Sequence, residues 1–359
     1  MKIGLLTYHR SHNFGAMLQA YALKTYIKNT SNNEIAFIDY YPSYFHDDQL
    51  IDSATLRNLG IKGKIKYLLC SIVNLKKIKL RKKAYCHFFD TYLSPVSPVS
   101  ESYDLAIYGS DQIWRYQNRD SYQGFSDVFW GDCSITAERK ITFAASMGSI
   151  PEDNKSASYC KKALKNFDAI SVREADLRDF LARISPSSKI EQHLDPVFLL
   201  NKEQWHLVQG RKRIEGKYIL VYNLQDLAAV DKMALQLQHK TGLQIINLRA
   251  SFNRLLTNKN EIYDAGPDDF VSLIREAEYV ITSSFHGTAF SILLNVPFYC
   301  CSKVASTRIS SMLSALGLEE RMSSELKNTS TDAIDWREVN EKIEEMVYSS
   351  KDYLKKYIK

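Results

Sequence analysis

The sequence predicts an α/β protein made of two Rossmann-like, doubly wound domains. Its first half alternates short apolar segments with segments of helical periodicity, which is typical of a mostly parallel sheet. A second series of the same kind follows the polar segment Asn201–Gly216. The chain has 359 residues, more than one hydrophobic core usually organises, so two domains are expected.

The first domain is expected to span residues 1–200. Its predicted strands are Lys2–Tyr8, Glu34–Asp39, Leu105–Tyr108, Lys140–Ala144, Ala169–Val172 and Ile190–Leu194. Its predicted helices are Ala16–Lys28, Lys155–Asn166 and Glu174–Ile184. Most of these strands are continuous apolar runs, as expected of strands that are covered on both faces.

A basic helical insertion of about residues 60–92 is predicted within this first domain. Its segment Lys62–Lys83 carries nine Lys or Arg residues and no acid, interleaved with Ile, Leu, Tyr and Val. Two interpretations stay open. The segment is either a solvated helix face beside a groove for acidic substrates, or a surface that touches an anionic membrane.

The second domain is expected to span residues 201–330. Its predicted strands are Tyr218–Tyr222, Gln244–Asn247 and Tyr279–Ile281, and its predicted helices are Leu227–Thr241, Pro267–Glu276 and Thr288–Leu294. Residues 331–359 are expected to form a C-terminal helix, because they alternate charged with apolar residues.

Composition excludes several classes of protein. With 45% hydrophobic and 25% charged residues the chain is typical of a globular domain, and no apolar run approaches the length of a membrane span. The net charge of +6 accompanies no nucleic-acid-binding motif. Six cysteines without a CxxC pair, no HExxH motif and an opening strand in place of a signal peptide favour a cytoplasmic protein that uses no metal.

The strongest candidate residue is His286. It follows a buried strand in the polar turn Thr282–Gly287, just before a predicted helix. In open α/β sheets, ligands bind outside the carboxyl ends of the strands, and a helix start favours a phosphate or carboxylate there. An acid and an anion site are therefore expected side by side, although a packed histidine is the alternative.

Two turns in the first domain have the same kind of position. Asn13 and Gly15 lie where the first strand gives way to a helix, so they either face a ligand or simply cap the helix. In the segment Gly109–Trp114 (GSDQIW), Asp111 can bind a sugar hydroxyl and Trp114 can stack on a sugar ring. A capping aspartate and a core tryptophan are the alternatives.

Two arginines are candidate anion ligands. Arg173 directly follows an apolar strand, and its rigid fork of donors suits a carboxylate or phosphate, although an ion pair with Glu174 or Asp176 is the alternative. Arg308 is either a second cation near the histidine helix or a surface residue. Asp195 is expected to anchor a turn.

Four segments, in this order, resemble the polysaccharide pyruvyl transferase family: Asn13–Leu23 (NFGAMLQAYAL), Gly109–Trp114, Ser171–Glu174 (SVRE) and Ser283–Ser291 (SSFHGTAFS). The resemblance covers roughly residues 1–320. It implies two Rossmann-like domains facing across a cleft, similar to the glycosyltransferase-B arrangement, with the first domain on the acceptor side and the second on the donor side. It also implies transfer of a pyruvyl group from phosphoenolpyruvate, as co-substrate, to a sugar of a surface polysaccharide or its precursor, giving a cyclic ketal without any cofactor.

The resemblance also implies roles for individual residues. His286 takes the place of the general acid. The implied donor-binding residues are Arg173, Ser283, Ser284, Gly287 and Arg308, and the implied acceptor-binding residues are Asn13, Gly15, Asp111 and Trp114. The sugar acceptor is either free or lipid-linked, and lipid linkage would bring the protein to the inner face of a membrane.

The chain departs from the family at one place. Many members carry Arg-Leu-His where residues 284–286 read Ser-Phe-His, so one expected donor-binding arginine is missing. The expected replacements are Arg308, Lys303, or the hydroxyls of Ser283 and Ser284 together with the helix amides. Two other functions stay open: a nucleotide-sugar-dependent glycosyltransferase on the same scaffold, and a non-catalytic protein that binds a sugar or an anion.

Overall fold

A computed structural model describes residues 1–42, 44, 59–119, 122–252, 255, 258–302, 307–325 and 333–359. The strands, in chain order, are β1 Lys2–Leu6, β2 Glu34–Ile38, β3 Val96–Ser97, β4 Ser102–Gly109, β5 Gln117–Arg119, β6 Tyr122–Gly124, β7 Thr136–Phe143, β8 Ile170–Val172, β9 Ile190–Gln192, β10 Tyr218–Tyr222, β11 Gln244–Leu248, β12 Glu261–Ile262, β13 Tyr279–Thr282 and β14 Phe298–Cys300. The α-helices are α1 Phe14–Thr30, α2 Ile61–Val73, α3 Leu75–Phe88, α4 Asn154–Ala163, α5 Ala175–Ile184, α6 Lys202–His206, α7 Ala228–Thr241, α8 Pro267–Arg275, α9 Phe285–Leu293, α10 Thr307–Leu316 and α11 Trp336–Ile358.

The chain divides into two compact units. The first contains Met1–Phe45, Phe89–Leu200 and Glu341–Lys359, and the second contains His46–Phe88 and Asn201–Asn340. The predicted boundary after residue 200 coincides with a boundary between the units.

The first unit is built on a parallel sheet of order β3-β2-β1-β4-β7. The strands β8 and β9 pair with each other in parallel, and isolated bridges join β8 and the residue before it to the β7 side. Nearly every residue of β1 and β4 is buried, because helices cover both faces of a doubly wound sheet. The strand order reverses between the neighbouring strands β1 and β4, so the topological switch point lies at the carboxyl ends of these two strands.

The second unit repeats this plan with a parallel sheet of order β12-β11-β10-β13-β14. Its core packs strand residues such as Ile219, Val221 and Ile281 against the apolar side of α7, including Met233 and Leu237. The switch point lies between β10 and β13. The predicted fold class, α/β with two Rossmann-like doubly wound domains, is therefore confirmed.

The basic insertion was predicted within the first domain, and the structure corrects this. Its helices α2 and α3 belong to the second unit, where α3 packs against α8. Two backbone carbonyls after β11 accept from Arg81 on α3, and Ala84 lies against Gly266 at the start of α8. These contacts join residues about 170 positions apart, so local sequence could not reveal them.

The predicted C-terminal helix is present as α11, Trp336–Ile358. From Glu341 onward it belongs to the first unit. There Ser350 Oγ accepts from the backbone N–H of Leu194 at 3.2 Å, and the Tyr353 hydroxyl donates to the Thr142 carbonyl at 2.9 Å. The helix thus covers the β7 to β9 side of the first sheet.

Candidate active site

The switch point of the second sheet carries a polar cluster. Strand β10 ends at Tyr222 and β13 ends at Thr282, and these two residues are paired in register. The Thr282 hydroxyl donates to the Tyr222 carbonyl at 2.8 Å and accepts from the Ser284 N–H at 3.0 Å. The two strand ends are thereby locked together, and the chain leaves them directly into α9.

His286 lies in the first turn of α9. The helix begins at Phe285, three residues earlier than predicted, because Ser284 acts as its N-cap and accepts from the Gly287 N–H at 3.3 Å. The His286 side chain is largely buried, and its ring meets the Phe285 ring edge to face at 5.2 Å between centroids. The positive end of a helix dipole and an imidazole therefore share one location, as the sequence predicted.

The neighbouring residues predicted to bind the donor have structural contacts within this turn. Ser283 Oγ donates to Asn223 Oδ1 at 3.2 Å and accepts from the Gln225 N–H at 3.1 Å. A Cβ atom at Gly287 would lie 2.4 Å from Thr282 Oγ1, so only glycine lets the helix approach the strand this closely. These residues hold His286 in a fixed position, and their contact with a donor stays a prediction.

Arg308 and Lys303 were proposed to replace the missing arginine. Lys303 lies outside the described residues. Arg308 is half-buried at the second position of α10, a helix that packs against α9. Its contact with the donor stays a prediction.

The structure adds Arg81, which the sequence presented only as one charge in a basic segment. Its Nη1 donates to the Ala250 carbonyl at 2.6 Å, its Nη2 donates to the Arg249 carbonyl, and its guanidinium lies 4.6 Å from the centre of the Phe252 ring. Burial raises the pKa of Tyr222, and the Arg81 charge offsets part of that rise. No local signal could have predicted this placement.

The switch point of the first sheet holds the predicted acceptor residues. Asn13 is the exposed N-cap of α1 and accepts from the Ala16 N–H at 3.2 Å, while Gly15 is buried in the first helical turn. The capping interpretation is thus confirmed for Asn13. Asp111 has a positive φ of 59°, an uncommon conformation for a residue with a side chain, and it is only half-buried. Such strain is often found at functional sites.

Trp114 was predicted to stack on a sugar ring, and the structure places it in the core instead. Its side chain is fully buried, and its ring stacks on Trp130 with 4.2 Å between centroids. Its indole N–H donates to the Phe129 carbonyl at 2.9 Å. An aromatic cluster therefore accounts for this tryptophan.

Arg173 is the centre of a buried ion network. Its Nε lies 3.0 Å from Glu174 Oε1 and its Nη1 lies 2.5 Å from Asp195 Oδ2. Burial alone would lower the pKa of Arg173, but the charges of Glu174, Asp195 and Asp111 outweigh it and raise that pKa. The predicted ion pair with Glu174 is present, and Asp195 also anchors its turn by accepting from the Val197 N–H at 3.1 Å.

Serine hydroxyls complete the network. Ser110 Oγ donates to Asp195 Oδ2 at 3.1 Å, and Ser146 Oγ donates to Glu174 Oε1 at 2.7 Å. These serines follow β4 and β7, so the network ties together three strand ends of the first unit. The arrangement explains Arg173 as a structural cation that holds these turns in place.

Two buried histidines lie at strand ends of the first unit. Burial lowers the pKa of His9 to about 4, and its ring stacks on Phe37 with 4.9 Å between centroids. Burial also lowers the pKa of His193 to about 4, and its Nδ1 lies 2.8 Å from Ser171 Oγ. Both imidazoles are therefore neutral at pH 7 and form part of the packed interior. Among the residues that the structure describes, no group of three or more His, Cys, Asp or Glu side chains is placed to bind a metal ion.

The two parallel sheets, with polar turns at their switch points, define a doubly wound α/β protein of the kind that binds ligands at the strand ends. The chain belongs to the polysaccharide pyruvyl transferase family, whose model matches residues 13–302. The comparison with curated proteins gives no match.

Several solved structures are similar to this chain. The UDP-GlcNAc 2-epimerase from Neisseria meningitidis bound to UDP-GlcNAc is 11% identical with a TM-score of 0.48, over 100% of this chain and 99% of the other. The glycosyltransferase SnogD from Streptomyces nogalater is 10% identical with a TM-score of 0.45, over 99% of each chain. The E. coli heptosyltransferase WaaC with ADP is 9% identical with a TM-score of 0.42, over 96% of this chain and 99% of the other.

Proposed function

We propose that the protein transfers a pyruvyl group from phosphoenolpyruvate to two hydroxyls of one sugar, forming a cyclic ketal and releasing inorganic phosphate. The sugar would belong to a polysaccharide or its precursor, consistent with the family. The observation that supports this most is the position of His286, at the start of α9 and beside the switch point of the second sheet. An anionic donor fits that position, since helix N-termini favour phosphate and carboxylate groups.

The chemistry assigns one proton transfer to His286. The imidazolium gives its proton to the terminal enol carbon of phosphoenolpyruvate, which becomes the methyl group, while the neighbouring carbon becomes cationic. One sugar hydroxyl attacks that carbon, the C–O bond to phosphate breaks, and the second hydroxyl then closes the ketal. Of the two hydroxyl protons released, one replaces the proton that His286 gave up and the other leaves with the phosphate.

The donor carries a carboxylate and a phosphate, so cations are expected around it. Arg81 and Arg308 are the proposed donor cations in the second unit, together with the amides of the α9 start. Arg173 is not among them, because two buried carboxylates neutralise its charge, whereas the carbonyls that Arg81 contacts are uncharged. Asn13, Gly15 and Asp111 remain the proposed acceptor contacts of the first unit.

The proposal is tested by measuring phosphate release from phosphoenolpyruvate with a panel of free, nucleotide-linked and lipid-linked sugars. His286→Gln should lower acceptor-dependent release roughly 10²–10⁴-fold, the usual contribution of a positioned acid. His239→Gln is the matched control, because His239 is an exposed histidine of the same unit and should leave the rate unchanged. Release that survives His286→Gln at the control rate would remove the proposed acid.

The role of Arg81 is tested separately through the KM for phosphoenolpyruvate. Losing a charged hydrogen bond to the donor costs about 1.5–3 kcal/mol, so Arg81→Gln should raise KM roughly 10- to 100-fold. Arg81→Lys should recover part of the loss if the charge acts on the donor. A thermal melt of each variant separates this effect from unfolding, and an unchanged KM in a folded Arg81→Gln variant would refute the assignment.

A further inference from the structure

Helix α2 presents an apolar face to solvent. Exposed aliphatic side chains form a stripe along it at helical spacing: Ile61, Ile65, Leu68, Leu69, Ile72 and Val73. Ile61 is 79% exposed and Ile72 is 62% exposed. Single exposed apolar residues are ordinary, but a contiguous patch marks an interaction surface.

The opposite face of α2 attaches the helix to the second unit. Cys70 and Ser71 are buried there, and the backbone N–H of Asn74 donates to the Cys70 carbonyl at 3.0 Å where α2 gives way to α3. Helix α3 is in turn held by Arg81 and by its packing on α8. The helix therefore has one face buried against the second unit and an opposite, apolar face that is exposed.

Lysines border the exposed face. They are exposed on α2 at Lys62, Lys64 and Lys66 and on α3 at Lys76, Lys79, Lys82 and Lys83. No Asp or Glu occurs between residues 60 and 89. An apolar stripe bordered by lysines without compensating acids is typical of helices that lie in the interface of an anionic bilayer.

We propose that the outward face of α2 docks on the surface of a bilayer that contains anionic lipids, with the aliphatic stripe among the acyl chains and the lysines at the head groups. A second copy of the chain is a poor occupant, because two such faces would bring their lysines together without acids. Protein interfaces are also depleted in lysine and enriched in aromatic residues, whereas this stripe is aliphatic. Docking would hold the second unit at the surface where a lipid-linked sugar resides; that last link rests on the proposed function.

The expected affinities follow from the two components of the face. Each lysine near an anionic surface contributes roughly fivefold in binding, so Lys62→Gln/Lys64→Gln/Lys66→Gln should weaken binding on the order of 100-fold. Each isoleucine that loses apolar contact with the bilayer should weaken binding roughly tenfold, so Ile65→Ser/Ile72→Ser should weaken it on the order of 100-fold. Both variants change exposed side chains only, so their melting temperatures should stay near that of the unmodified protein.

The experiment is flotation of the full chain with vesicles of phosphatidylcholine alone and of phosphatidylcholine with one quarter phosphatidylglycerol. We expect binding to the anionic vesicles only, with a decrease as salt is raised, and the losses given above for the two variants. Leu235→Ser/Lys240→Gln is the matched control, because it removes an exposed leucine and an exposed lysine from α7 of the same unit. This control should bind like the unmodified chain.

Three results would overturn the proposal. One is the absence of binding to anionic vesicles at low salt, and another is binding that the α2 variants and the α7 control affect equally. The third is a dimer in light scattering that Ile65→Ser/Ile72→Ser converts to a monomer, which would assign the face to a second copy. None of these readouts needs enzymatic activity, so a failure here is distinguishable from a failure of the proposed reaction.

Discussion

Replacement of Arg173 by alanine should destabilise the first unit, whether or not a donor is present. The Arg173 side chain is only 4% exposed, and it is the cation between Glu174 and Asp195, which are 3% and 0% exposed. Removing it leaves two buried carboxylates without their cation. Breaking a buried ion pair in this way costs about 3–5 kcal/mol. That is a large part of the 5–15 kcal/mol that typically separates folded from unfolded protein.

A charge-free variant provides the matched comparison. In Arg173→Met/Glu174→Gln/Asp195→Asn, the amide oxygens can still accept from Ser146 and Ser110, while these three positions carry no charge. Replacing a buried ion network by neutral groups of similar volume is often neutral or stabilising. The triple variant should therefore recover most of the stability that Arg173→Ala loses.

The assay is thermal unfolding combined with hydrogen exchange of peptides from each unit. Arg173→Ala should lower the melting temperature and increase exchange at β4, β7 and β8, while peptides of the second unit keep their protection. A variant that melts like the unmodified protein but no longer binds phosphoenolpyruvate would refute this reasoning, and would return Arg173 to the donor site.

Two further predictions concern packing and pH. Gly287→Ala should destabilise the second unit by about 1–3 kcal/mol. The new methyl group would meet the Thr282 hydroxyl, which already donates one hydrogen bond and accepts another. The cost of this clash exceeds the roughly 1 kcal/mol that alanine gains over glycine in a helix. The substitution should also lower turnover by displacing the neighbouring histidine. The control is Gly63→Ala in α2, where a new Cβ would lie 3.2 Å from its nearest neighbour, the Leu59 side chain, instead of 2.4 Å from Thr282 Oγ1 at Gly287. Equal melting temperatures for the two variants would contradict the argument. Folding of the first unit should weaken as pH falls from about 6.5 to about 4, because the pKa of His9 is lowered to about 4 in the folded chain and the unfolded chain binds the extra proton first. The stabilisation is fully present above pH 6.5 and amounts to about 3 kcal/mol for this histidine. His193 has the same lowered pKa, so His9→Gln should reduce the dependence of urea unfolding on pH by roughly half. An unchanged slope would show that His9 does not titrate in this way.

Local sequence predicted the parts of the fold that local physics determines. Most parallel strands and most helices were predicted within a few residues, since apolar runs alternate with helical periodicity, but the edge strands β3, β12 and β14 were not predicted. The start of α9 was placed too late because Ser284 was assigned to the turn, although serine before an apolar helix is a typical N-cap. That signal was present in the sequence.

Other features depend on contacts between distant residues and could not be predicted from local patterns. Trp114 is a core residue because Trp130 provides its stacking partner, and Arg173 is a structural cation because Asp195 lies beside it. The basic insertion joins the second unit through Arg81 and Ala250, which are 169 positions apart. Local sequence thus predicts that a polar or aromatic residue lies at a strand end. Whether that residue binds a ligand depends on contacts with distant residues, which local sequence does not show.

The membrane contact proposed for α2 is one with the bilayer surface, not a helix that spans the bilayer. Within the described part of the chain, no helix combines the length and apolar character needed to cross a bilayer. The exposed face of α2 concerns the surface of a bilayer only, and it belongs to the same unit as His286. Docking and chemistry would then be connected through the packing of α3 on α8.

The proposed function is tested most directly by the mass of the acceptor sugar after incubation with phosphoenolpyruvate. We predict that one acceptor of the panel gains the mass of pyruvate less one water, that acid hydrolysis returns pyruvate, and that His286→Gln abolishes the gain. An acceptor that stays unchanged with phosphoenolpyruvate but gains a hexose from a nucleotide sugar would contradict the account and assign the chain to glycosyl transfer.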